Sequence, residues 1–155
     1  MIRYRLEDDG IKHINCYSQG KTELGRLLSN FAHTPFVVNG HMGYASIEAA
    51  WYSWAAKGSE EDLRNLRSTY GFRAKQLGRL MADADYPKGD PFRVFIKTCL
   101  EAKLKATPRL QELLKANTLP LVHYYVYGGK VVESPGSDWV WEHWTMLALQ
   151  AKQLK

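Results

Sequence analysis

From Ser46 to Ala116 the sequence is cut into a run of short helical segments, and this punctuation constrains the fold more than any other feature. Ser46 precedes IEAAWYSWAAKG. A serine there accepts hydrogen bonds from the free N–H groups of a first helical turn, alanine-rich sequence favours helix, and Gly58 supplies a stop, which predicts a helix over 47–57. Further helices are predicted over 60–68, 73–83, 91–106 and 108–116. The last opens on Pro108, whose fixed φ and missing N–H suit a first turn. A closing helix is predicted over 138–153. Residues 13–17 (HINCY) and 36–45 (FVVNGHMGYA), the latter broken at Asn39-Gly40, are expected to form a small sheet near the N-terminus. Residues 121–133 read as two more strands around Gly128-Gly129. Helix outweighs strand, so the expected class is α+β: a mainly helical single domain with a small β-sheet. No repeat and no Ser, Gly or Pro-rich linker divides residues 1–155.

A chain of 155 residues buries about 70% of its unfolded surface, enough for a core that needs no disulfides. Cys16 and Cys99 are its two cysteines, too few for a disulfide scaffold; they fit buried thiols in a reducing compartment, so a cytoplasmic location is expected. The opening MIRYRLEDDG lacks the apolar stretch of a secretory signal, and no run approaches the ~20 apolar residues of a membrane span. No membrane partner is expected. The net charge of +5 is uneven: residues 64–115 hold twelve Lys/Arg against five Asp/Glu. Such an excess concentrates phosphate-bearing ligands, although a solvated helix surface accounts for the same charges.

Three places carry residues that chemistry can use. On a helical wheel Ile47, Ala50, Trp51 and Trp54 share one apolar stripe and Glu48 lies at its border, in the first turn. The helix dipole favours its ionised form, whereas burial beside Tyr44, Trp51 or Tyr52 would raise its pKa into the range useful for acid–base work. The residues alone leave Glu48 open between a cleft carboxylate and a plain helix-start acid. In the long helix, Phe92, Phe95, Ile96 and Cys99 define a stripe that carries Lys103 onto the same side. Its stem can run over apolar surface to water, its ammonium can enter an anion or ribose site, or it can meet a buried carboxylate. The segment SPGSDWVWEHW gathers Asp138, Trp139, Trp141, Glu142, His143 and Trp144, either stacking faces for a nucleobase or core plus helix cap. His13 and Cys16 lack a second pair at metal-site spacing, and no phosphate-binding glycine loop, H-E-x-x-H or G-x-S-x-G motif occurs.

Several stretches together, RLLSNF at 26–31, PFVVNG and YASIEAAWYSWAAKG between 35 and 58, and AKQLGR at 74–79, are similar to those of the YbiA-like, or NADAR, superfamily. IKTCLEAKLKATPRLQELL at 96–114 and VVESPGSDWVW at 131–141 extend the resemblance to roughly residues 13–141. It implies a mainly helical α+β fold and chemistry linked to NAD, ADP-ribose and riboflavin intermediates, with N-glycosidase activity in some members. The acidic residue of the family's S-x-E helix start falls on Glu48, and the Asp and Trp of its terminal motif fall on Asp138 and Trp141. Its Ser-Asn-Phe motif falls on Ser29, Asn30 and Phe31, its Lys-x-x-Gly-Arg motif on Lys75, Gly78 and Arg79, and the Lys of its Ala-Lys-Phe pattern on Lys103. A Trp that members commonly carry after the Gly-Arg motif has no counterpart: residues 80–92 offer Tyr86 or Phe92 instead. EHWTMLALQAKQLK stands where a Gly-rich stretch usually follows the terminal Trp.

The resemblance therefore implies an N-glycosyl hydrolase acting on an ADP-ribosyl or phosphoribosyl nucleotide, for example removing ADP-ribose from a modified nucleobase. Breaking a ribosyl C–N bond passes through an oxocarbenium-like sugar, which needs negative charge near C1′ and a base for water. Glu48 is expected to serve there and Asp138 to meet the ribose or leaving base. Trp141, with Trp51 or Tyr44, would stack on the base, while Asn30, Lys75, Arg79 and Lys103 hold hydroxyls or phosphate. No metal or cofactor is called for. The expected partner is a nucleotide-like small molecule or an ADP-ribosylated nucleic acid. The alternatives are a non-catalytic ADP-ribose or nucleotide-binding module, and a hydrolase of riboflavin-biosynthesis intermediates.

Overall fold

The computed structural model describes residues 3–153. A 3-10 turn at Leu6–Asp8 leads into β1 (Ile14–Asn15), α1 (Glu23–Leu28), β2 (Phe36–Val38), β3 (Met42–Tyr44), α2 (Ile47–Ser53), α3 (Glu60–Arg67), α4 (Gly71–Met81), α5 (Asp90–Ala106) and α6 (Pro108–Ala116). β4 (Leu121–Val122), β5 (Tyr124–Tyr127), β6 (Lys130–Glu133), a second 3-10 turn at Pro135–Ser137 and α7 (Asp138–Gln153) complete it. The class is α+β, with helix dominant.

Contacts gather in two units, a division that no linker in the sequence signals: Asn30–Thr107 forms one, and the chain up to Ser29 together with the chain from Pro108 onward forms the other. In the Asn30–Thr107 unit, β2 and β3 pair antiparallel, Phe36 opposite Tyr44 and Val38 opposite Met42, and the three-residue connection 39–41 turns at Asn39 and Gly40, both at positive φ (56° and 78°). The hairpin packs on α5, and α2 packs on both α4 and α5. Ile47, Ala49 and Ala50 of α2 and Phe92, Ile96, Cys99 and Leu100 of α5 are buried there. α2 ends at Ser53, short of the expected 57. Residues 55–57 leave the helix to bond a distant segment: Lys57 N–H donates to the Met81 carbonyl (2.8 Å) and Asp83 N–H to the Ala55 carbonyl (2.8 Å).

In the other unit, β1 runs parallel to β4, Ile14 opposite Leu121. The expected sheet joining 13–17 to 36–45 does not form, because β1 takes β4 as its partner and β2 takes β3. The Asn15 side chain prolongs the parallel pair: its Nδ2 donates to the Tyr124 carbonyl and its Oδ1 accepts from the Tyr124 N–H, each at 3.0 Å. Buried Asp9 accepts from the Asn15 and Lys21 N–H groups at 2.9 Å. β5 and β6 form the hairpin expected around Gly128-Gly129. α7 lies on β4 and α6, burying Val140, Trp141, Trp144 and Leu147.

Candidate active site around Glu48

The start of α2 is fixed by three hydrogen bonds. Ser46 Oγ accepts from the Ala49 N–H (3.1 Å) and donates to the Thr69 carbonyl (2.9 Å), while the Glu48 N–H donates to the Asn30 carbonyl (2.9 Å). The backbone N–H of Glu48 is thereby spent outside its own helix, and its side chain projects from a fully braced first turn. The residue is half-buried. Burial pushes its carboxyl up to about 7, against the opposing pull of the Lys75, Arg79 and Lys88 cations. Desolvation therefore outweighs three positive charges, and a carboxyl that is ordinarily ionised is half protonated near neutrality.

The cations come within range because α4 lies very close to α2. A Cβ on Gly78 would stand 2.2 Å from Cγ of Tyr52, so this position tolerates hydrogen alone. The glycine that the resemblance marks as a ligand residue thus has a packing role: Tyr52, one turn after Glu48, sits on it. Lys75 and Arg79 are four residues apart on α4 and share a face. Lys88 comes from the segment before α5, its Nζ 5.9 Å from the Tyr52 ring centre and 5.8 Å from that of Phe92. Lys88 is absent from the sequence-derived site, since a loop offers no periodicity; the one available signal is its place beside Tyr86, between Pro87 and Pro91.

Glu48, Trp51, Tyr52 and Ala55 occupy one face of the α2 segment. A cleft of about 270 Å³ opens along the last three, closed by Asp83, Tyr86 and Lys88. Trp51 stands edge-on to Phe92, ring centres 4.9 Å apart at 86°. Of the two aromatics available in 80–92, Tyr86 reaches the cleft wall, whereas Phe92 is buried. Beside the Glu48 turn, Asn30 Oδ1 is buried with no hydrogen-bond partner among the described residues. An unsatisfied buried acceptor costs free energy unless something donates to it.

The other expected residues have the following surroundings. Tyr44 is buried, stacks on Phe36 at 5.6 Å, and lines a separate groove of about 670 Å³ with Arg67, Ser68 and Lys105. Burial raises its hydroxyl pKa. Ser29 caps α1, its N–H donating to the Gly25 carbonyl (3.1 Å), and the Phe31 carbonyl accepts from the Gly71 N–H (2.8 Å). Lys103 is 0% exposed at the end of the Phe92–Ile96–Cys99 stripe, which excludes an ammonium that runs out to water. Asp138 and Trp141 belong to the other unit, where they line a cleft of about 200 Å³ with His123 and Arg3. The Trp141 indole N–H is buried without a partner among the described residues, and its ring lies 4.9 Å from that of His123. Burial lowers the His123 pKa; its Nδ1 meets the Cys16 carbonyl at 2.8 Å.

The Glu48 cluster offers a carboxylate poised near neutral pH, cations for phosphate, aromatic walls and an unsatisfied amide oxygen for a hydroxyl or exocyclic N–H. Among the described residues no three His, Cys, Asp or Glu gather as metal ligands, and no helix is long and apolar enough to cross a membrane.

By sequence, no family model and no curated protein matches the chain. By structure, it matches the NMR structure of the Escherichia coli protein YbiA with a TM-score of 0.66 at 22% identity, over 95% of this chain and 92% of that one. The chain has the YbiA-like fold.

Proposed function

We propose that this chain, built on the YbiA-like fold, is an N-glycosidase that hydrolyses a ribosyl N-glycosidic bond in an ADP-ribosyl or phosphoribosyl nucleotide, such as ADP-ribose on a modified nucleobase. The observation that carries this is the Glu48 carboxyl, pushed up to about 7 by burial while facing Lys75, Arg79 and Lys88. A carboxylate with that pKa accepts a proton from water at neutral pH and supplies negative charge where the sugar becomes cationic.

In the reaction, the water oxygen bonds to C1′ as the C1′–N bond breaks, its electron pair leaving with the base nitrogen. Glu48 takes a proton from the attacking water, and the departing nitrogen is protonated in turn. Lys75, Arg79 and Lys88 hold the phosphates, Asn30 Oδ1 accepts from a ribose hydroxyl, and Trp51 and Tyr86 flank the base. Asp138→Asn and Trp141→Phe, assayed on the same substrates, test the share that the resemblance gives those two residues.

Incubation with ADP-ribosylated guanosine, a phosphoribosyl pyrimidine and NAD, with free base followed by chromatography, tests the proposal. Release from one of them is expected, with a loss on the order of 100-fold or more in Glu48→Gln. Near-normal turnover by that variant removes Glu48 from the mechanism. Binding of ADP-ribose without cleavage of any substrate replaces the enzyme with a binding module.

A further inference from the structure

We infer that the exposed His33–Tyr70 stack, continued by Phe72 and Arg73 along α4, is a docking platform for single-stranded nucleic acid. It rests on the hydrolase reading above only for the idea that such a strand carries the nucleotide to be cleaved. The His33 and Tyr70 rings lie parallel, 4.3 Å between centres and 13° between planes, with Tyr70 50% exposed and His33 exposed as well. Phe72, two residues on, is 61% exposed. Tyr70 is the N-cap of α4 but makes no side-chain capping bond, so its ring is not held there by helix formation.

Scattered exposed apolar residues need no explanation, but these are placed. The segments bearing the two stacked rings, 30–34 and 67–71, are the ones that brace the Glu48 turn. The Gly71 N–H donates to the Phe31 carbonyl (2.8 Å), the Thr34 N–H to the Ala45 carbonyl (3.1 Å) and the Ala45 N–H to the Arg67 carbonyl (2.8 Å). Ser46 Oγ reaches the Thr69 carbonyl, and the Glu48 N–H reaches Asn30. The segments that carry the stacked rings and the turn that carries Glu48 therefore share one hydrogen-bonded backbone framework.

Charge selects the occupant. α4, GFRAKQLGRLM, contains no acidic residue, and Phe72, Arg73, Gln76, Arg79 and Leu80 are its exposed positions. An eleven-residue helix is about 16 Å long, so aromatic rings at its start and cations along it form one strip. Aromatic faces joined to a cationic track are what unpaired bases on a phosphate chain require, because every base has a stacking face and every phosphate a charge. A duplex hides its base faces and offers the rings nothing.

The test is fluorescence anisotropy of a short, labelled, unmodified single-stranded DNA with the intact protein, so that binding is read without catalysis. The wild type is expected to bind it more tightly than the corresponding duplex. The Tyr70→Ala/Phe72→Ala variant should bind about 10-fold or more weakly, Tyr70→Phe should retain binding, and Arg73→Gln should lower the salt dependence by about one phosphate contact. Thermal melts of each variant establish that it is folded. Hydrolysis of the free ADP-ribosylated nucleoside should be unaffected by the Tyr70 and Phe72 changes. Wild-type protein that does not bind the strand, equal affinity for duplex, or a folded double variant that binds normally overturns the inference. Failure of the wild type to cleave any nucleoside instead overturns the proposed activity and leaves the platform standing.

Discussion

Replacing Glu48 by Gln should make the protein more stable at alkaline pH while lowering turnover on the order of 100-fold or more. The carboxyl of Glu48 is raised from the ordinary 4.5 to about 7, so the folded state holds its proton more tightly than the unfolded chain. Between those two values the folded form binds more protons, and stability falls as pH rises; the loss is complete above about 7. At about 1.4 kcal/mol per pH unit the interval amounts to about 3 kcal/mol, and solvent in the half-buried site brings the expected effect to about 1–3 kcal/mol. Gln has the same shape and no charge to desolvate. For a chain of this length the gain corresponds to a Tm higher by roughly 3–10 °C. The assay is urea or thermal unfolding of both proteins across the range from acid to mildly alkaline, taking the difference so that other titrating groups cancel. The two should coincide under acidic conditions, diverge as the pH climbs to about 7 and keep a constant gap above it. A pH-independent gap, or a Glu48→Gln protein less stable than wild type at high pH, would refute net desolvation of this carboxyl.

Because Lys75 is the largest of the charges lowering the Glu48 pKa, Lys75→Met should move the acidic limb of kcat/KM to higher pH, and by more than Arg79→Met does; a limb that stays put removes Lys75 from that role. Gly78→Ala should destabilise by about 1–3 kcal/mol in urea unfolding, despite alanine's better helix propensity, since the added Cβ meets the root of the Tyr52 side chain rather than a movable tip. Combined with Tyr52→Ala the two losses should add to less than their sum, as expected of groups in contact. The Cys99 thiol is buried and its pKa is pushed up to about 12, so it should react with a thiol reagent only on unfolding; rapid labelling of Cys99 in native protein would contradict its burial.

Sequence signals hold where a local cause operates. The Ser46 cap, the Asn39-Gly40 turn and the Pro108 helix start appear as the sequence suggests, because each depends on one or two residues and their own backbone. The expected α2 is too long because its end is set from afar, by the bridge between Ala56 and Ala82. Helix α1, six residues held by a bond from the Gly25 N–H to Thr22 Oγ1, is too short to display a period. At the candidate site the wheel places Glu48 on a border, but only the close approach of α4 at Gly78 explains why Lys75 and Arg79 act on it. Tyr44 and Trp51 look interchangeable in the sequence as aromatics near Glu48. They line different hollows, since one points from a strand and the other from a helix.

The strand pair at Ile14–Asn15 and Leu121–Val122 joins positions separated by most of the chain, and everything from Asn30 to Thr107 is threaded between them. On a ribosome, the contiguous Asn30–Thr107 unit has its whole sequence available once Thr107 has emerged. Strand β1 does not yet have its partner: with Asn15 waiting for the backbone of Tyr124, it must idle until β4 and β5 are made. The Glu48 site thus lies in the contiguous unit, whereas the β1–β4 pair is made late, so lesions in Asn15 or Tyr124 should be felt in yield during synthesis before they are felt in the chemistry at Glu48.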